Sequence, residues 1–181
     1  MVKDESFVAR LNFITEKMKR KLVPKAASQN EITLYCLVGE AICKIQHLEA
    51  ALSCTITLKL NSEATRQVAD EFLNKQHGNT LGKAIQISAK ENIFPPALIA
   101  QMTDFLQHRN WLVHNVMVEQ KDDPSIESIK NKCLDRIKAI SDTAQALQHE
   151  IELDMVEFCE SKGQDMSQIR ATINAQCHES E

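Results

Sequence analysis

The chain has 181 residues, 43% of them hydrophobic and 25% charged, the size of one domain and the balance of a folded protein, which excludes wholesale disorder. It contains only 4 glycines and 4 prolines, too few for the turns of a β-sandwich or the glycine loops of an α/β nucleotide fold. The net charge of −4 is unevenly spread: residues 1–118 carry 14 Lys and Arg against 11 Asp and Glu, and residues 119–181 carry 7 against 14, so a polyanion would meet the first two-thirds.

A first helix is predicted from about Glu5 to Val23, where Phe7, Leu11, Ile14, Met18 and Leu22 recur at three and four. It ends in the basic stretch Lys17 to Lys25, which offers cations to RNA phosphates or complements the helix dipole, and Pro24 closes it. Ser28-Gln29-Asn30-Glu31 is a capping box. The helix it opens runs to about Leu60 with a ridge at Leu34, Val38, Ile42, Ile45, Leu52 and Ile56. A shorter helix is expected from Ser62 to about Gln76, stopped near Gly78, and another after Thr80. Pro95-Pro96 restarts the chain for a helix over about Ala97 to Val118, with Leu98, Met102, Phe105, Leu112 and Val116 on one ridge.

After Asp122-Asp123-Pro124-Ser125, an apolar seam from Ile126 through Ile137, Ala144 and Ile151 to Phe158 predicts a long helix ending near Gly163. Residues 164–181 read as a weakly structured acidic tail around Ile169 and Ile173. The reading is an all-α, up-and-down antiparallel helical bundle. It forms one domain over 1–163, with the motif-bearing core at about 28–118.

The six cysteines, at 36, 43, 54, 133, 159 and 177, include no C-x-x-C pair of the kind a structural zinc site uses. Cys36, Cys43 and Cys54 fall near one helical stripe and read as small buried apolar residues in a reducing compartment. The opening Met1-Val2-Lys3-Asp4-Glu5 lacks the apolar core of a signal peptide. The longest uncharged run, Asn92 to Thr103, falls short of the ~20 residues that span a bilayer. A soluble cytoplasmic protein with no membrane partner is expected. No Glu-x-x-His pair or glycine-rich phosphate loop is present, so neither a metal nor a cofactor is expected.

Two charges interrupt apolar ridges: Glu49 on the second helix and Arg109 on the later one. On neighbouring helices they would neutralise each other, since an unpaired buried charge costs several kcal/mol. Around Arg109 the sequence is His108-Arg109-Asn110-Trp111-Leu112-Val113-His114. Asn110 and His114 are four apart, so the amide stands beside the imidazole and can orient it. Arg109 and His114 are five apart, about 140° around an ideal helix; a bent helix, a long reach by Arg109 or a second copy would be needed to bring them to one atom. A guanidinium grips phosphate through its fork, and an imidazole exchanges protons near neutrality. Those groups suit attack of an RNA 2′-hydroxyl on the adjacent phosphodiester, with the arginine holding the developing charge.

The segment Arg109 to His114 resembles the R-N-x3-H signature of the HEPN superfamily of RNases. Val38-Gly39-Glu40-Ala41-Ile42, Ile45-Gln46-His47-Leu48-Glu49 and Thr80-Leu81-Gly82-Lys83 resemble the helices that precede it. The likeness covers roughly residues 30–118. It implies a metal-independent endoribonuclease that dimerises so that two motifs line one cleft, acting as a toxin or antiviral defence effector. His114 would be the general acid/base, Arg109 the transition-state anchor, Asn110 the orienter of His114 and Glu49 a polar support. His108, Lys83 and Trp111 are candidate RNA contacts, Trp111 by stacking on a base. RNA, a second copy and a cognate antitoxin or regulatory protein are the implied partners. The alternative is a catalytically silent helical interaction module whose Arg109–Glu49 pair is structural.

Overall fold

The computed structural model describes residues 26–63, 65–116 and 127–178, with side chains over 131–175 of the last stretch. The predicted first helix, the basic stretch Lys17 to Lys25 and the restart at Asp122 lie outside these residues. The chain divides into two compact units, Met1–Thr33 and Leu34–Glu181. The second unit includes the residues after 163.

The described residues form six helices and no strand: α1 Gln29–Leu60, α2 Arg66–His77, α3 Leu81–Lys90, α4 Pro96–His114, α5 Glu127–Ser161 and α6 Ser167–His178. The class is all-α. Local chemistry sets the ends. Ser28 Oγ accepts the Glu31 N–H at 3.3 Å and Glu31 returns a carboxylate to the Ser28 N–H at 2.7 Å, a closed capping box. Thr80 Oγ1 accepts the Lys83 N–H at the start of α3, and Pro96 occupies the first turn of α4, where no amide donor is needed. Gly163 takes φ +83° just after α5, a conformation that favours glycine. The helix read from Ser62 begins at Arg66 instead, after a turn.

The main core joins α1, α3, α4 and α5. The predicted α4 ridge is buried in full, as are Ile137, Ile140, Ala144, Leu147 and Ile151 of α5. On α1 the ridge is shifted. It runs through Leu34, Ala41, Ile45, Leu48, Leu52 and Ile56, while Ile42 is 37% exposed. Ile42 is the larger side chain, but its angle lies about 80° off the buried line that Ala41 occupies.

The same geometry corrects the cysteines. Cys36, Cys43 and Cys54 do share a stripe, but it lies nearly opposite Leu34, so Cys36 and Cys43 are exposed and Cys54 is half-buried. Cys159 is buried. The C-terminal segment is ordered as α6, with Met166 and Ile173 buried against Val156 and Cys159. Arg170 pins it through two contacts to the Glu160 carboxylate, at 2.7 and 3.3 Å.

Cross-helix contacts give the topology. Glu49 meets Arg109 and Lys59 meets Ile93, so α1 and α4 are antiparallel. Arg136 meets Trp111 while Lys59 also meets Asp154, so α5 runs back along α4 and parallel to α1. Lys59 is the tie. Its ammonium pairs closely with Asp154, donates to the Ile93 carbonyl at 3.0 Å and lies near the rings of Phe94 and Phe158.

Lys59 and Asp154 are only 14% and 22% exposed, between the regimes of weak surface pairs and strongly coupled buried ones. Lys59→Ala should therefore lower the unfolding free energy by about 1–3 kcal/mol in urea titrations; an unchanged midpoint would show that the tie contributes nothing. The thiols of Cys54 and Cys159 are pushed up by burial, which lowers their thiolate fraction. Maleimide labelling read by peptide mass should modify Cys36 and Cys43 first, with Cys54 and Cys159 reacting only after unfolding.

Candidate functional site

The R-N-x3-H segment forms the last turn and a half of α4. The helix closes at His114, and the Asn115 N–H returns to the Trp111 carbonyl at 2.8 Å. Successive residues therefore fan around the helix end. Leu112 and Trp111 are buried, Arg109 is half-buried, and Asn110, Val113 and His114 are exposed.

Arg109 projects inward between α4 and α1. Its Nη2 lies 3.5 Å from Glu49 Oε1, with the two side chains 25% and 30% exposed. The pairing expected from two charges on facing ridges is present. It is a charge contact rather than a directed hydrogen bond, because Glu49 Oε1 and Arg109 Nε are both buried without a hydrogen-bond partner among the described residues. Each therefore retains bonding capacity in a partly dry environment, where polar groups interact more strongly than in water.

His114 and Asn110 lie on the outer side of the same turn. Among the described residues no hydrogen bond joins the Asn110 amide to the His114 ring. An exposed amide and imidazole both have water as a competing partner, so spacing alone does not lock them together. The structure thus brings Arg109 to Glu49 and leaves Asn110 and His114 together on the surface. The ideal helical angle separates the two sets, as the five-residue spacing requires. His114 stands in the last helical turn.

The remaining candidates divide. His108 is exposed, with Nε2 3.8 Å from the Asp104 carboxylate one turn earlier. Lys83 is exposed in the first turn of α3. That turn lies against α4: a Cβ placed on Gly82 would come within 3.2 Å of Leu106 Cδ2. Trp111 does not offer an open face to a base. It is 7% exposed, and the guanidinium of Arg136 on α5 lies over its ring, 3.7 Å from the centroid. Three of the acidic side chains of α5 between 150 and 160 are engaged within the bundle: Asp154 pairs with Lys59, Glu160 with Arg170, and Glu152 accepts from Gln148.

Arg136 escaped the sequence reading because its partner is 25 residues away on another helix, and no periodicity marks a cation that covers an indole. A concavity of about 570 Å3 at the far end of the bundle, around Cys54, Leu58, Leu73, Phe158 and Lys162, shares no residue with the segment. Among the described residues no three His, Cys, Asp or Glu side chains group as metal ligands.

Because the Arg109–Glu49 pair is half-buried, removing one partner should cost more than removing both. Arg109→Leu strands the Glu49 carboxylate and should lose about 1–3 kcal/mol, whereas Arg109→Leu with Glu49→Leu should recover part of that loss. A double-mutant cycle from thermal and urea unfolding measures the coupling, and strict additivity would reduce the pair to a coincidence of position. No protein-family model matches the chain, and neither a curated protein nor a solved structure matches it.

Proposed function

We propose that the chain is an endoribonuclease of HEPN type, working as a homodimer in a toxin or antiviral defence role and cleaving RNA without a metal. The observation that carries this reading is the last turn of α4. It presents His114 and Asn110 to solvent while Arg109, 25% exposed beside Glu49, sits about one turn back. A proton-transfer group and a phosphate-binding group thus share one helix end, the pairing that transesterification of RNA needs.

In the proposed reaction the 2′-oxygen attacks the adjacent phosphorus and loses its proton to a His114 imidazole. The P–O5′ bond breaks, and the leaving 5′-oxygen takes a proton from an imidazolium. The products are a 2′,3′-cyclic phosphate and a 5′-hydroxyl. Arg109 stabilises the charge on the non-bridging oxygens. One exposed His114 cannot occupy both sides of the phosphorus, so the second imidazole comes from the other copy, which also removes the need for Arg109 and His114 of one chain to share a stripe.

The second reading, a catalytically silent interaction module such as an antitoxin, immunity or regulatory protein, is favoured by the Arg109–Glu49 pair itself. An arginine already neutralised has a structural role without any substrate.

The two readings part on one measurement. Purified protein incubated with RNA in excess EDTA should yield fragments ending in 2′,3′-cyclic phosphate. His114→Ala should lower the rate by about 10²-fold or more with an unchanged melting temperature, the usual contribution of a general acid or base. No cleavage, or cleavage indifferent to His114→Ala, decides for the silent module.

A further inference from the structure

We propose that Arg136, stacked on Trp111, is a docking platform for one nucleotide of single-stranded RNA beside His114. The inference rests on the endoribonuclease reading for its substrate, but it stands on a separate observation, the Trp111–Arg136 contact between α4 and α5.

At 3.7 Å from the ring centroid the Arg136 guanidinium lies over the indole, the distance of a stacked cation–π pair. The contact uses one face of the guanidinium. Arg136 is nevertheless exposed and has no carboxylate partner among the described residues. Among the described residues no contact is made on its second face or its N–H edge. Two kinds of group fit what remains: a nucleobase on the open face, since bases stack on arginine planes, and a phosphate oxygen on the edge. A nucleotide carries both.

The position is as informative as the chemistry. Trp111 and His114 are three apart on α4 and are neighbours on its surface. The platform consequently borders the exposed imidazole. Lys132, also exposed, precedes Arg136 by four residues on α5 and extends the positive strip by one turn. Asp135 and Asp142 are exposed on the same helix, but they lie about 100° and 120° around it from Arg136 and leave the strip cationic. Stacking also restricts the Arg136 side chain before any ligand arrives, so less freedom is lost on binding. Trp111, poorly exposed itself, acts as the support, and the arginine presents the binding face.

Trp111 is the single tryptophan of the chain, so its fluorescence reports this stack directly. In a His114→Ala background, which keeps RNA intact, titration with a ten-nucleotide oligoadenylate should change the emission and give a saturable curve. An abasic oligonucleotide of the same length should bind more weakly. Arg136→Gln should weaken oligoadenylate binding about tenfold, the scale of one lost base stack. Arg136→Lys, which keeps the charge without the plane, should recover only a minor part. Melting curves for both variants establish that the fold is kept. In the active protein Arg136→Gln should raise KM more than it lowers kcat.

Unchanged affinity in both variants overturns the platform. So does full recovery in Arg136→Lys, which would mean bare charge, and so does absence of oligonucleotide binding by the parent. Cleavage that depends on His114 but ignores Arg136 rejects the platform and leaves the RNase reading standing. Base-dependent binding through Arg136 without cleavage does the reverse.

Discussion

A charge on an apolar stripe must meet its opposite at the same height, and this requirement sets how α1, α4 and α5 slide past one another. Along α1, Lys59 falls on the buried line that runs through Leu34, Ala41, Leu52 and Ile56, and Glu49 lies close beside it. Burying either alone would cost several kcal/mol. Lys59 is met by Asp154 and the Ile93 carbonyl, and Glu49 by Arg109. Two fixed points ten residues apart on α1, one to α4 itself and one to α5 and the residue Ile93 just before α4, restrict the register of all three helices. Apolar ridges alone are more permissive, since a shift of a turn replaces one aliphatic contact with another.

That register has a consequence for the end of α4. With Glu49 holding Arg109, the angles of the following residues are determined: Leu112 enters the core, Trp111 turns toward α5, and Asn110 and His114 face water. The segment is one helical turn and a half read outward from an ion pair. Substitutions at Glu49 therefore act on the surface of the motif without touching it, by releasing Arg109, which with Trp111 and Leu112 anchors the segment.

The helical class, the capping box at Ser28, the proline start of α4, its whole buried ridge and the Glu49–Arg109 pairing were legible in the sequence, because each depends on residues close together or on a strict period. Three features were not. The α1 ridge passes through Ala41 rather than Ile42, since angle outranks side-chain size when both neighbours are apolar. Cys36 and Cys43 share a stripe, but spacing does not say which side of the helix that stripe faces. Arg136 over Trp111 and Lys59 beneath Phe94 and Phe158 are cations whose partners are set by tertiary packing. A charged residue carries no period that announces them. The candidate site was thus legible along α4 and hidden where α5 crosses it.

The division of the segment bears on how an active site could be assembled from it. Under the RNase reading, Arg109 has two demands on it, the Glu49 carboxylate and a substrate phosphate. These need not compete for the same atoms. The contact to Glu49 uses Nη2, the side chain keeps 25% exposure, and a guanidinium presents five donors in a fixed plane. An arginine held in place by a carboxylate from behind loses less freedom when a phosphate arrives in front, as bidentate anion sites exploit. Glu49 then orients the guanidinium as well as neutralising it, and the ion pair that favours a silent scaffold is equally what a pre-positioned anchor requires. What separates the two roles is the exposed side of the turn: a scaffold has no use for His114, whereas a transesterase depends on it.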